Sequence, residues 1–285
     1  MAKYLTYTLL LLLLTACEKE IDIDYPSAAV LTTIQGQVTN EGMDVVITHT
    51  RSMEEATLSP GLPGATVTIS SDEQTTVLTY DAATGHYHSP TVGIPGTTYH
   101  LSVDFEGAHY EAESTMPLPA TILSTEFVWQ NILSDRMLAF EVWASDPEPD
   151  IRNYYLYRMD RQTTHPRGKD KNEGQAYRWN VFDDRGNPPG RIYRDIICMT
   201  EKIAEEDEEE DWDYILYDGD IVNFYLMVID HPVYDFFRSL IVGQNGRANP
   251  ISNISGGCLG YFSAASITRA EEVVYHTSTQ EEELF

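Results

Sequence analysis

The feature that most constrains this chain is a two-residue rhythm broken at short intervals by glycine and proline. Thr66-Val67-Thr68-Ile69 and Leu101-Ser102-Val103-Asp104-Phe105 alternate polar with apolar side chains. That period places one face of an extended strand in a core and the other in water, which a helix cannot do. Strands are predicted over Val30–Val38, Asp44–His49, Ala65–Ser70, Thr75–Tyr80, Thr98–Phe105 and His109–Met116. Asn40-Glu41-Gly42, Pro60-Gly61, Pro63-Gly64, Asp81 to Gly85, Pro95-Gly96 and Glu106-Gly107 stand between them as turn chemistry. So many short strands in so little chain close most simply as a β-sandwich over residues 30–117.

Pro117 and Pro119 mark a joint, and a second β-rich domain is expected over residues 118–270. Its strand candidates are Thr121–Trp129, Met137–Ala144, Asn153–Met159, Tyr177–Phe182, Ile192–Met199, Asp220–Asp230 and Tyr261–Thr268. Arg161 to Gln175 is polar, partly basic and aperiodic, and is read as a long exposed loop. One short helix is predicted after His231-Pro232. Asp230 or His231 serves as its N-cap, and Val233, Phe236, Phe237, Leu240 and Ile241 fall on one helical face. Residues 271–285 are polar and read as a flexible tail. The fold class is therefore mainly β, a sandwich followed by a second β-rich domain with one helix near its C-terminal end.

The first residues carry a different message. Lys3, the apolar run Leu5 to Leu14, and Leu14-Thr15-Ala16-Cys17 make a secretory signal over residues 1–16 with a lipobox-like end. Cleavage before Cys17 and acylation of Cys17 are expected. The run is about ten residues, against roughly 20 for a bilayer span. Residues 17–29, with alternating charge and Pro26, then serve as a lipidated tether.

The formal net charge is −27. Such a field repels nucleic acid and anionic lipid head groups, so neither is expected as a partner. With Cys17 acylated, Cys198 and Cys258 remain, and an exported protein can join such a pair as a disulfide or bury both as free thiols. Spacing alone does not choose.

No Gly-x-Ser-x-Gly elbow, phosphate-cradling glycine loop or His-Glu-x-x-His helix occurs, so no catalytic residue and no cofactor are assigned. His86, His88, His100 and His109 fall in the first domain and would hold a metal only if they converged. His-x-His on a strand is commonly surface decoration, so no metal site is assigned. The acidic run Glu205 to Asp211 lacks the interleaved glycine and asparagine of a calcium loop and reads as a solvated segment. Trp129, Trp143 and Trp179 are assigned to core packing. Trp212, beside the acidic run, is the candidate contact residue for a glycan or peptide.

The order Pro63-Gly64-Ala65-Thr66-Val67, Gly85-His86-Tyr87 and Thr98-Tyr99-His100-Leu101 resembles Ig-like and transthyretin-like sandwich modules of surface proteins. A wider resemblance rests on several further segments. At the front these are Cys17-Glu18-Lys19-Glu20-Ile21-Asp22, Gln35-Gly36-Gln37-Val38-Thr39-Asn40 and Thr115-Met116-Pro117. At the back they are Asn249-Pro250, Ser252-Asn253-Ile254, Gly256-Gly257 and Leu259-Gly260-Tyr261-Phe262. Together they resemble the Bacteroidota outer-membrane lipoproteins of domain-of-unknown-function family 4249. The resemblance implies association with TonB-dependent receptors of the SusC kind. It supplies no catalytic positions. Glu18-Lys19-Glu20 is similar to a surface-export signal, with the periplasmic face as the other possibility. The expected function is that of a surface-exposed outer-membrane lipoprotein, a non-enzymatic accessory or binding subunit of a TonB-dependent nutrient-uptake system. A stand-alone adhesin or glycan- or peptide-binding lipoprotein is the alternative, with a cryptic hydrolase behind it.

Overall fold

The computed structural model describes residues 30–51, 60–132, 135–166, 176–201, 203, 214–243 and 249–277. The first half of the chain forms β1 (Thr32–Thr39), β2 (Gly42–His49), β3 (Thr66–Ser70), β4 (Thr75–Val77), β5 (Thr79–Asp81), β6 (His86–Ser89), β7 (Thr98–Phe105) and β8 (Ala108–Thr115). The second forms β9 (Ile122–Ile132), β10 (Asp135–Ser145), β11 (Tyr154–Gln162), β12 (Arg178–Asp183), β13 (Arg191–Thr200), β14 (Ile215–Leu216) and β15 (Ile221–Ile229). Helix α1 (His231–Gly243) follows, then β16 (Leu259–Arg269) and β17 (Val273–Val274). The protein is mainly β.

One long sheet organises these strands. Its order is β12-β11-β15-β16-β1-β2-β6-β5, with β17 beside β15. Two four-stranded sheets pack against it, β4-β3-β7-β8 under one half and β14-β13-β10-β9 under the other. The first core gathers Ile34, Val45, Ile47, Tyr87 and Phe262 from the long sheet, and Ile69, Leu101, Val103 and Phe105 from its partner. The second gathers Tyr155, Met159, Phe224 and Leu226 against Leu138, Phe140, Ile192 and Ile196. Alternation drives both: in β15 every second side chain from Val222 to Val228 is buried, as two-sided strands with one wet face require.

β16 joins the halves. Thr33 to Thr39 of β1 pair in parallel with Leu259 to Ala265, and Ser266 to Arg269 then pair antiparallel with β15. The C-terminal strand therefore completes the N-terminal sandwich, across the joint drawn at Pro117 and Pro119. Two asparagines clasp it. Asn253 donates to the Phe262 carbonyl (2.8 Å) and accepts from the Phe262 N–H (2.9 Å). Asn40 does the same for Ile267 at 3.1 and 2.7 Å. At Gly260 the backbone has φ +116°, and a Cβ there would lie 1.8 Å from the Ile34 carbonyl oxygen.

Helix α1 lies on the other face of the long sheet, where Val233, Tyr234 and Phe237 meet Val181, Ile229, Tyr154 and Ala265. Asp230 caps it, as one of the two sequence readings had it: Oδ1 accepts the Val233 N–H at 3.1 Å. Its Oδ2 accepts the Ser114 hydroxyl (2.6 Å) and the Thr115 N–H (3.2 Å) from the end of β8. One half-buried carboxylate thus ties the first sandwich to the helix, and burial raises its pKa against the opposing effect of these hydrogen bonds.

Three expectations are corrected here, and one element is new. The strand read over Thr75–Tyr80 splits into β4 and β5, which belong to different sheets. Leu78 plugs into the first core between them, its N–H on the Val67 carbonyl. Arg161, read as the start of an exposed loop, is buried near the end of β11. It donates to the Ile215 carbonyl and sits 5.3 Å from the Tyr177 ring centre. Val273–Val274, read as part of a loose tail, adds a strand to β15, and Tyr275 is buried in the second core. The short parallel strand β14 beside β13 carries no sequence signal of its own.

Candidate functional site

Cys17, Trp212 and the acidic run Glu205 to Asp211 lie outside the described residues. Cys198 and Cys258 are described, and both are free and buried. They belong to different cores, Cys198 to the second and Cys258 to the first, so the disulfide left open by the sequence does not form. Burial raises their thiols to about 12 and about 11, which makes them inert as nucleophiles at neutral pH.

The four histidines do not converge. His86 and His88 leave β6 on the outer face of the long sheet, while His100 and His109 stand on the opposite outer surface, on β7 and β8. Each surface pairs its own. His86 Nδ1 is 2.8 Å from Asp44, and His109 lies between Asp104 (2.8 Å) and Glu111 (3.1 Å). The Asp104 hydrogen bond, then that of Glu111, raises the His109 pKa. Beside His88, Gln37, Glu41 and Asp44 line an open depression of about 540 Å³.

Near the far edge of the long sheet, Asp183 ends β12 under two arginines. Arg152 Nη2 reaches its Oδ2 at 2.5 Å and Arg185 Nη2 at 2.8 Å, while Arg194 donates to its carbonyl at 3.0 Å. Burial alone would raise this carboxyl, but the hydrogen bonds from Arg185 and Arg152 win and hold it at about 2. A depressed folded-state value stabilises the fold above the ordinary carboxylate range and loses that contribution as pH falls through about 2. Asp183→Asn is therefore expected to lower neutral-pH stability by roughly 1–2 kcal/mol and to flatten the acid limb between pH ~4 and ~2. Urea titrations at several pH values check it; parallel acid limbs for the two proteins would contradict it.

The most ligand-like arrangement is on the outer face of the β9-β10-β13 sheet. Leu138, Phe140 and Val142 point inward, so Glu141 and Trp143 point outward, as do Tyr193 and Asp195 of β13. Trp143, read from the sequence as core, is half-buried on this open face because it alternates with Val142 and Ala144. Its ring lies 4.6 Å from Tyr193, tilted by 47°. Its Nε1–H donates to Glu141 Oε1 at 2.8 Å. The Tyr193 hydroxyl stands 2.7 Å from Asp195 Oδ1 and 3.2 Å from Glu141 Oε2, and Gln130 Nε2 donates to Asp195 Oδ1 at 3.0 Å. Burial, followed by the Asp195 hydrogen bond, pushes the Tyr193 phenol well up, so it keeps its proton and remains a donor.

The other described tryptophans have different neighbours. Trp129 packs on the second core with Arg136 4.9 Å from its ring centre, and Trp179 meets Phe237 of α1 edge-on at 5.9 Å. The period-two pattern of Met137–Ala144 already separated Trp143 from Phe140 and Val142. What the sequence did not show is that Tyr193 lies directly across from it.

Residues 18–271 match the family model of a domain of unknown function, DUF4249. The chain belongs to the DUF4249 family. The match takes in both cores, α1 and the β16 clasp, so the two-sandwich architecture is that of a DUF4249 domain in this chain. No curated protein matches this DUF4249 chain in sequence.

Proposed function

We propose that this DUF4249 protein is an outer-membrane lipoprotein, anchored through acylated Cys17 and exposed at the cell surface. There it acts as a non-enzymatic accessory or binding subunit of a TonB-dependent nutrient-uptake system. The observation that carries the reading is Leu14-Thr15-Ala16-Cys17 followed by the charged Glu18-Lys19-Glu20, where the family match starts. Acyl chains each contribute about 0.8 kcal/mol per buried CH₂, so a multiply acylated cysteine holds a protein at a membrane durably. The β build supports a presenting role: rigid sheets with a wet polar and aromatic face display side chains without enclosing a reaction.

The test treats intact cells with proteinase, then recovers the tagged protein under mild detergent. Cleavage on living cells and co-recovery of a β-barrel receptor are the expected results. Protection from proteinase, or recovery of the protein alone, would count against the surface and the transporter parts respectively. A second reading, a stand-alone glycan- or peptide-binding lipoprotein, is favoured by the Trp143–Tyr193 face. It predicts ligand binding by the purified protein with no barrel recovered.

A further inference from the structure

The open face around Trp143 has a charge pattern that aromatic packing does not explain. The strand register sets Glu126 opposite Glu141, and Glu141 opposite Asp195. Cross-strand partners share a face, so three carboxylates stand in one row across β9, β10 and β13. The neighbouring row is Ser124, Trp143 and Tyr193. Like charges directly opposite one another destabilise a sheet. Among the described residues Arg191 is the one arginine or lysine that the register places on this face. It lies in the row beyond Trp143, opposite Ser145.

Trp143 Nε1–H is committed to Glu141, and one Gln130 Nε2–H to Asp195. The Tyr193 hydroxyl has a single proton for two carboxylates. Glu126 is exposed and makes no side-chain hydrogen bond among the described residues. The three carboxylates of the row therefore offer surplus acceptors and negative charge beside the face of an indole, and they carry no donor of their own. A sugar, which both donates and accepts, uses only half of such a surface. An ammonium or guanidinium group uses all of it, through charge-assisted hydrogen bonds and a cation–π contact.

We propose that this sheet face is a docking surface for a basic peptide segment, its lysine or arginine side chains seated on Trp143 and Tyr193 and paired with Glu126, Glu141 and Asp195. The occupant is argued from charge complementarity, and the inference stands whether or not the protein serves a transporter. Adjacent strands are about 4.8 Å apart, so the row spans roughly 10 Å. Basic side chains two residues apart on an extended segment are separated by about 6.8 Å, and two of them fit along it.

The experiment titrates the purified full-length protein, in mild detergent, with the peptide acetyl-Lys-Gly-Lys-Gly-Lys-amide by calorimetry at low and moderate salt. Binding that weakens with salt is expected. W143A and the double variant E141Q/D195N should each weaken it by about tenfold or more, and E126Q by less. The control E106Q/E113Q removes the same charge from the other sandwich and should bind as the wild type does. Glu126 is exposed on an edge strand, so E126Q tests the row even if a double variant unfolds. Absence of peptide binding by the wild type, or equal weakening by the control, would overturn the proposal. So would Trp143-dependent, salt-insensitive binding of a neutral oligosaccharide such as cellohexaose, which would make the face a sugar platform. A failed pull-down with intact peptide binding sinks only the transporter reading.

Discussion

Gly260→Ala is expected to be the most damaging small substitution in the described structure. The residue sits at φ +116°, where a side chain is strained, and its new Cβ would fall 1.8 Å from the Ile34 carbonyl oxygen and 2.7 Å from the carbonyl carbon. Neither atom can rotate away, because both belong to β1 backbone paired with β16. Backbone strain of about 1–3 kcal/mol and overpacking of similar size add to the weakened ladder, for roughly 4 kcal/mol in all. For a chain of this length that corresponds to a fall in Tm of about 8–16 °C. Gly257→Ala is the control. It also has positive φ (+84°), but its Cβ would meet nothing within 4 Å, so the cost should stay near 1 kcal/mol. Thermal unfolding of the two variants side by side decides it, and equal melting points would mean that β1 and β16 do not approach so closely.

Asp230→Ala is the second large effect. It removes the N-cap of α1 and leaves the buried Ser114 hydroxyl and the Thr115 N–H without this acceptor. A lost cap costs about 1 kcal/mol and the stranded buried Ser114 hydroxyl about 1–3, so a loss near 3 kcal/mol is expected, with little added by the solvent-exposed Thr115 N–H. Asp230→Asn keeps one acceptor oxygen and should recover part of that. Chemical denaturation measures both. If Ala and Asn are equally mild, Asp230 is a helix cap only and does not tie the first sandwich to the helix.

Much of the strand inventory was legible because each strand keeps one face dry. Alternation in Leu101–Phe105 or along Ile221–Ile229 needs no partner to be recognised. The helix was equally legible from Asp230, Pro232 and the spacing of Val233, Phe236 and Phe237. What could not be read was long-range pairing. Nothing local in Leu259–Arg269 says that its first half runs parallel to β1, since parallel partners need no connecting turn. Gly256 and Gly257, just ahead of that strand, have the positive φ that a turn favours. The position under greatest steric constraint, Gly260, lies inside the strand itself. The face around Trp143 was half legible: period two sets Trp143 apart from Val142, and Tyr193 apart from Ile192. Only the β10–β13 register brings the two rings together. Trp212, chosen for its acidic neighbours, lies outside the described residues.

The parallel seam between β1 and β16 also dictates an order of events in time. Asn40 and Ile267, which bond each other across it, are 227 residues apart. Until the last strand arrives, Ile34, Val38 and Val45 have no Phe262 or Ala264 to close their core. Contacts of such long range are slow to form because the loop entropy is lost before the contact repays it. The N-terminal half must therefore wait, partly open, while the rest of the chain is delivered. If Cys17 is acylated first, that waiting happens at a membrane surface, with an apolar sheet edge exposed beside lipid.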